Sequence, residues 1–165
     1  MKAIGWIAKF VGPAFIFAGM ALAQSAATAN LGCSTGTLAG TYAFHITGQI
    51  LTPAAAAGPV SGVALTVFDG YGNLTQVDNV VHNGVSPVED WRPATGTYTV
   101  NANCTGTFTF TPQPTVAADA SPALTLHFVI ASDGSEIRTV VTGSPNTPPF
   151  TAAITSTGVR IVRGF

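Results

Sequence analysis

Charged side chains are scarce in this sequence, which carries only six basic and seven acidic residues among 165. Both lysines, Lys2 and Lys9, lie near the N-terminus, so the rest of the chain has four arginines against seven acids, a formal charge of −3. A nucleic acid or an anionic membrane surface requires a concentrated basic surface, which so few cations cannot provide. The sequence therefore predicts no nucleic-acid partner.

The sequence also lacks an apolar run long enough for a membrane-spanning helix. A spanning helix needs roughly 20 apolar residues, whereas residues 10–23 form a shorter run that Pro13 interrupts. The two lysines precede this run, and two small-x-small motifs follow it, Ala21-Leu22-Ala23 and Ala27-Thr28-Ala29. This order is typical of a secretory signal peptide.

We therefore expect residues 1–29 to be a cleaved signal peptide, with the second motif favoured over the first as the cleavage site. A lasting membrane anchor is the alternative that the short, interrupted run argues against. Residues 30–165 are enough for one domain. The predicted location is secreted or periplasmic, without stable membrane insertion after cleavage.

Cysteine is nearly absent, and its two copies, Cys33 and Cys104, both fall in the predicted mature chain. An even cysteine count in an exported protein predicts a disulfide. Two free buried thiols are the alternative. No Cys-x-x-Cys spacing indicates a redox site.

Helical periodicity is missing after the predicted signal helix, and a two-residue alternation rich in Thr and Val takes its place. Tight turn sequences and longer loops rich in Pro, Ala, Ser and Gly separate the segments. Short strands with hairpin connections favour an all-β fold, specifically an eight-stranded antiparallel up-and-down barrel. The predicted strands are 40–51, 62–68, 73–82, 94–100, 105–111, 123–131, 136–142 and 151–162.

Several strand-start and turn sequences resemble those of small secreted bacterial proteins that have no assigned activity. The residues that carry the resemblance are Gly40-Thr41-Tyr42-Ala43-Phe44, Asp69-Gly70-Tyr71-Gly72-Asn73, Asn83-Gly84, Gly96 to Asn101, and Cys104-Thr105-Gly106-Thr107. The architecture that this resemblance implies is similar to the calycin-type barrels, such as lipocalins and allene oxide cyclases. It implies a bacterial source and no catalytic residue.

The densest polar cluster is Glu89-Asp90-Trp91-Arg92, in a long loop at one end of the predicted barrel. Such a cluster is able to bind a ligand or to perform acid–base chemistry. The competing interpretation is a loop held by an Arg–carboxylate pair, with Trp91 over the barrel mouth. Together with the aromatic residues Tyr42 and Phe44, these four form the predicted ligand-binding residues.

Catalytic and metal-binding motifs are missing. The three histidines, His45, His82 and His127, fall on different predicted strands without ligand spacing, and no Gly-x-Ser-x-Gly motif occurs. We therefore predict no catalytic residue, no metal site and no cofactor. Glu136 and Arg138 share a strand face, which is either solvated or turned into a polar lumen.

Three functions remain from the sequence. The first, which the sequence favours, is a non-catalytic structural or interaction module with a filled barrel. The second is a binding protein for a small apolar ligand, and the third is an isomerase similar to allene oxide cyclase. An outer-membrane barrel ending in Phe165 is disfavoured by Arg163 and by strands shorter than about 9–11 residues. Nothing in the sequence indicates the oligomeric state.

Overall fold

The computed structural model describes residues 30–145 and 150–161, and the predicted signal peptide, residues 1–29, lies outside them. Four 3-10 turns span Thr35–Leu38, Ala54–Ala56, Ala117–Asp119 and Ser132–Gly134. The strands are β1 (Gly40–Thr52), β2 (Gly58–Phe68), β3 (Asn73–His82), β4 (Arg92–Val100), β5 (Thr105–Pro112), β6 (Leu124–Ala131), β7 (Glu136–Gly143) and β8 (Thr151–Arg160).

The eight strands form one closed barrel, in which each strand pairs antiparallel with its neighbours in sequence. β1 closes the barrel by pairing with β8, from Tyr42 opposite Arg160 to Thr52 opposite Thr151. Closure leaves no unpaired sheet edge among these strands. The predicted all-β, up-and-down barrel is therefore confirmed.

The connections divide the barrel into two unlike ends. The segments 53–57, 83–91 and 113–123 lie at one end, which we call the open end. The tight connections 69–72, 101–104 and 132–135 lie at the other, the closed end, together with the N-terminal segment before β1. This arrangement follows from alternating strand directions, because every second connection returns to the same end.

A short N-terminal segment plugs the closed end. Leu38, in the first 3-10 turn, is fully buried. The predicted disulfide joins Cys33 to Cys104 in the β4–β5 connection, with 5.1 Å between the two Cα atoms, and is thereby confirmed. A backbone hydrogen bond from Leu31 N to Ala102 O, 2.8 Å long, supports the same connection.

Arg160 fastens the plug to the last strand. Its guanidinium lies 5.3 Å from the centre of the Tyr42 ring, and Nη2 donates to the Thr37 carbonyl at 2.5 Å and to the Tyr42 hydroxyl at 2.8 Å. The Tyr42 hydroxyl in turn donates to the Gly134 carbonyl. Burial raises the Tyr42 pKa, partly offset by its hydrogen bond to Arg160. Tyr42 therefore serves the closed end of the barrel.

Aromatic rings fill the half of the barrel above this plug. Phe68 packs edge-on against Tyr42 and Tyr98, with ring centres 5.4 Å and 5.0 Å apart. Phe108 continues the cluster toward Phe128 at 5.9 Å. Edge-to-face pairs at these separations are favourable beyond the area that they bury. This half of the barrel is consequently solid.

The outer surface carries several residues whose direction, toward solvent or toward the lumen, the alternation alone did not determine. Val63, Leu65 and Val67 of β2 share a face, and that face is exposed to solvent. Glu136 and Arg138 also point outward, joined by a 2.6 Å ion pair in which the Arg138 side chain is 68% exposed. The solvated alternative is therefore correct for this pair. Within the described residues, no helix is long and apolar enough to cross a membrane.

Candidate functional site

The open half of the barrel encloses a cavity of about 480 Å³. Its mouth lies among the open-end connections, where exposed residues such as Pro53, Val85 and Ser86 line it. Most of its wall is apolar. The apolar lining within the strands consists of Phe44, Ile46, Ile50, Val60, Ala64, Val80, Phe108, Phe110, Pro112, Leu124, Leu126, Val141 and Ile154.

The cavity exists because small side chains face the lumen at this height of the barrel. Ala64 of β2 and Ser156 of β8 line the wall, whereas on β2 the ring of Phe68 occupies the lumen nearer the closed end. Phe44 and Phe108 mark the transition, since both line the cavity and belong to the buried core. The Phe44 ring lies against Gly158 so closely that a Cβ atom there would fall 2.5 Å from it.

One wall of the cavity is polar, formed by Gln76, Asp78 and Arg92, which we call the polar wall. Asp78 Oδ1 accepts from Arg92 Nε and lies 2.8 Å from Arg92 Nη2. Gln76 Nε2 donates to Asp78 Oδ2 at 3.3 Å, and Thr66 Oγ1 donates to Gln76 Oε1 at 2.9 Å. The polar wall and Thr66 thus form one hydrogen-bonded chain across β2, β3 and β4.

Strand register produces this chain. Residues of even number from Leu74 to His82 face the lumen on β3, and the β3–β4 pairing sets Asp78 directly opposite Arg92. The Asp78 side chain is only 4% exposed, and that of Arg92 13%. Burial raises the pKa of Asp78, while the positive charge of Arg92 and the hydrogen bonds from Arg92 and Gln76 act in the opposite direction.

Asp119 organises the mouth beside the polar wall. Its carboxylate accepts the backbone N–H groups of Val88 at 2.9 Å and Glu89 at 2.7 Å, and these bonds lower its pKa. Arg92 Nη1 reaches the Asp119 carbonyl at 3.4 Å. Two mouth connections, 83–91 and 113–123, are therefore tied to each other and to the barrel wall.

Two polar atoms near the open end are buried without a hydrogen-bond partner among the described residues, Nε2 of His82 and Oγ of Ser144. His82 lines the cavity, whereas His45 and His127 lie exposed on the outside of the barrel. Among the residues that the structure describes, no three His, Cys, Asp or Glu side chains are grouped so as to hold a metal ion.

The six predicted ligand-binding residues are dispersed. Arg92 and Phe44 line the cavity, whereas Tyr42 lies in the closed half. Glu89 accepts from Thr115 through both carboxylate oxygens, at 2.9 Å and 3.1 Å. Asp90 and Trp91 are exposed, with Trp91 at 52%.

Sequence reasoning did not select Asp78 or Gln76, and it considered His82 only as a metal ligand. The signal that the sequence offered was the two-residue alternation of a predicted strand. These residues have even numbers, as Leu74 and Val80 do, and so belong to the same face of that strand. A carboxylate at a lumen-facing position must find a partner, because a buried unpaired charge is very costly. Arg92 was an available cation, but it was assigned to the loop before the next predicted strand.

No known protein family, curated protein or solved structure matches this chain. The shape and chemistry of the cavity are therefore what indicate its function.

Proposed function

We propose that this chain is an exported barrel of the calycin type that binds a small, mainly apolar ligand in its cavity. The cavity is the observation that carries the proposal. Pockets of roughly 300–1,000 Å³ with apolar walls and a few polar groups are typical of small-molecule sites, and this one measures about 480 Å³. A closed eight-stranded barrel is near the size at which the interior holds one small ligand.

The same cavity weighs against the structural or interaction module that the sequence alone favoured. That function supposes an interior filled with side chains. Aromatic rings fill only the closed half, and the open half holds empty space beneath a mouth. Side chains beside an unfilled volume lose contacts that a packed core would supply, at a cost of roughly 24 cal/mol per Å³ where the volume stays dry. A retained cavity of this size is therefore better explained by a ligand.

Export is supported by the disulfide between Cys33 and Cys104, because such bonds persist in oxidising compartments. It is also supported by the signal-peptide pattern in residues 1–29. We expect the protein recovered from outside the cytoplasm of an expressing bacterium to begin at Asn30. Mass spectrometry of the intact protein measures this, and a product that retains residues 1–29 would contradict it.

We expect the protein to bind N-phenylnaphthylamine, an uncharged apolar fluorophore whose emission rises on transfer out of water. Ala64→Phe places a ring in the cavity and should weaken binding roughly tenfold or more. Ala64 is buried in the cavity wall, so the added ring has no other space to occupy. A fluorescence titration measures both dissociation constants.

Ala43→Phe is the matched control, because Ala43 lies on the outer face of β1, opposite exposed Leu65. It adds the same ring outside the cavity and should leave affinity unchanged. Thermal unfolding of both variants establishes that they are folded at the titration temperature. Equal affinity in wild type and folded Ala64→Phe, or no binding by wild type, would reject the cavity as the site.

A further inference from the structure

The charged side chains that line the cavity are few and mutually compensated. In the described part of the chain they are Asp78, Arg92 and Asp119. Arg92 holds Asp78 through Nε and Nη2, both 2.8 Å from the same carboxylate oxygen. Asp119 directs its carboxylate to the backbone N–H groups of Val88 and Glu89. The cavity thus offers a ligand no free ion of either sign.

The mouth adds negative charge. Glu89, Asp90 and Asp119 lie in the connections 83–91 and 113–123, and the described open-end connections contain neither Lys nor Arg. A fatty acid entering here would pass these acids and then meet Asp78 beside Arg92, the one basic side chain among the described lining residues. Like charges in a poorly solvated site repel strongly, because the dielectric screening of water is reduced there.

A cationic ligand is disfavoured inside the cavity rather than at the mouth. An ammonium group is attracted toward the mouth, but inside the cavity it would have to share the Asp78 carboxylate with the guanidinium of Arg92, a like charge held 2.8 Å from Oδ1. Displacing Arg92 would leave that guanidinium without its partner in a largely buried position, which is costly. The polar wall therefore disfavours both ionic classes.

The polar wall retains capacity for neutral hydrogen bonds. Arg92 has five N–H groups, and its described contacts run to Asp78 and to the Asp119 carbonyl. Among the described residues, the one hydrogen bond to Asp78 Oδ2 is the long 3.3 Å bond from Gln76. A hydroxyl group both donates and accepts, so it is able to use both of these positions without adding charge.

We propose that the cavity selects uncharged, mainly apolar molecules with a hydroxyl or similar neutral polar group, and that Asp78 is the residue that excludes carboxylates. This inference rests on the proposed function, because it names the class of ligand for the same cavity. It predicts discrimination by head-group charge among ligands with one and the same alkyl chain.

The test uses decanol, methyl decanoate, decanoate and decylammonium as competitors of N-phenylnaphthylamine near pH 7.5. We expect decanol and methyl decanoate to bind at least roughly tenfold more tightly than decanoate or decylammonium. If wild type binds neither the fluorophore nor any competitor, the proposed function itself fails. If decanoate or decylammonium binds as tightly as decanol, cavity binding stands and the charge selectivity is overturned.

The Asp78→Asn variant tests whether Asp78 causes the selectivity. With the carboxylate replaced by an amide, Arg92 becomes an uncompensated cation in the cavity wall, so decanoate should gain roughly tenfold in affinity while decanol changes less than about threefold. Asp133→Asn is the control, because it removes one exposed carboxylate in the closed-end connection 132–135, away from the cavity, and should alter neither affinity by more than about twofold. An unchanged preference in folded Asp78→Asn would remove Asp78 from the mechanism.

Arg92→Gln keeps the proposal testable if Asp78→Asn does not fold. It removes the cation and leaves the Asp78 carboxylate facing the cavity, so decylammonium should gain affinity relative to decanol by roughly tenfold. A merely structural role for the pair would weaken all four competitors together. Such a uniform loss would overturn the assignment of selectivity to the polar wall.

Discussion

Arg92→Met is expected to lower the free energy of unfolding by about 3 kcal/mol near pH 7. The reason is Asp78, whose side chain is 4% exposed and which loses its counter-ion in this variant. Removing one member of a buried pair leaves an uncompensated charge, which costs far more than the net stabilisation by the intact pair. Urea denaturation followed by circular dichroism measures the difference.

The same loss is expected to shrink as the pH falls. Burial raises the folded-state pKa of Asp78 even with Arg92 present, and removing the cation raises it further. The folded state then binds a proton at a pH where the unfolded state, with a pKa of about 3.9, does not. Protonation therefore favours folding, and the deficit of Arg92→Met should be smaller near pH 5 than near pH 7.

Two controls separate this explanation from a loss of packing by Arg92. Asp78→Leu combined with Arg92→Met removes both charges and should lie within about 1.5 kcal/mol of wild type. Arg138→Met breaks an exposed pair with Glu136 and should cost less than about 1 kcal/mol. If the double variant is as unstable as Arg92→Met, the unpaired carboxylate is not the cause.

The fold could be predicted from the sequence because strand alternation and turn residues are local signals. β3 begins and ends where the alternation predicted, at Asn73 and His82. β2 begins at Gly58, four residues earlier than predicted, because Pro59 was assigned to a loop. The carbonyl of Pro59 accepts a 2.9 Å bond from Asn83 N, so the missing N–H does not prevent pairing there.

The polar wall could not be predicted in the same way, because it depends on register and on which face turns inward. Arg92 was assigned to a loop cluster with Glu89, Asp90 and Trp91, but it is the first residue of β4 and faces Asp78 across the pair. On β2 the face with Val63 and its neighbours is apolar and yet points to solvent. Hydrophobicity alone therefore does not identify the lumen.

The cavity is a still less local property. It depends on the sizes of the lumen-facing side chains at one height in all eight strands, for instance Ala64 on β2 and Ser156 on β8. The height of each side chain along the barrel is known only when the register of every strand pair is known. The aromatic residues of the lumen are buried, and the closed half accommodates most of them.

Replacing both cysteines, Cys33→Ser with Cys104→Ser, is expected to lower the free energy of unfolding by roughly 4 kcal/mol. The crosslink spans a sequence separation of 71, and closing so long a loop restricts the unfolded chain considerably. It also holds the segment whose Leu38 plugs the closed end. Urea denaturation of the double variant beside oxidised and reduced wild type measures the effect.

Because of the position of this crosslink, its loss is expected to lower stability without changing ligand affinity. The disulfide lies at the closed end, and the aromatic cluster of Phe68, Tyr98 and Phe108 separates it from the cavity. The folded double variant should therefore bind N-phenylnaphthylamine with unchanged affinity at low denaturant, although it unfolds earlier. A loss of binding in a variant that is still folded would mean that the plug and the open end are coupled. If the double variant is as stable as wild type, the backbone bond from Leu31 to Ala102 and the contacts of Arg160 hold the plug without the crosslink.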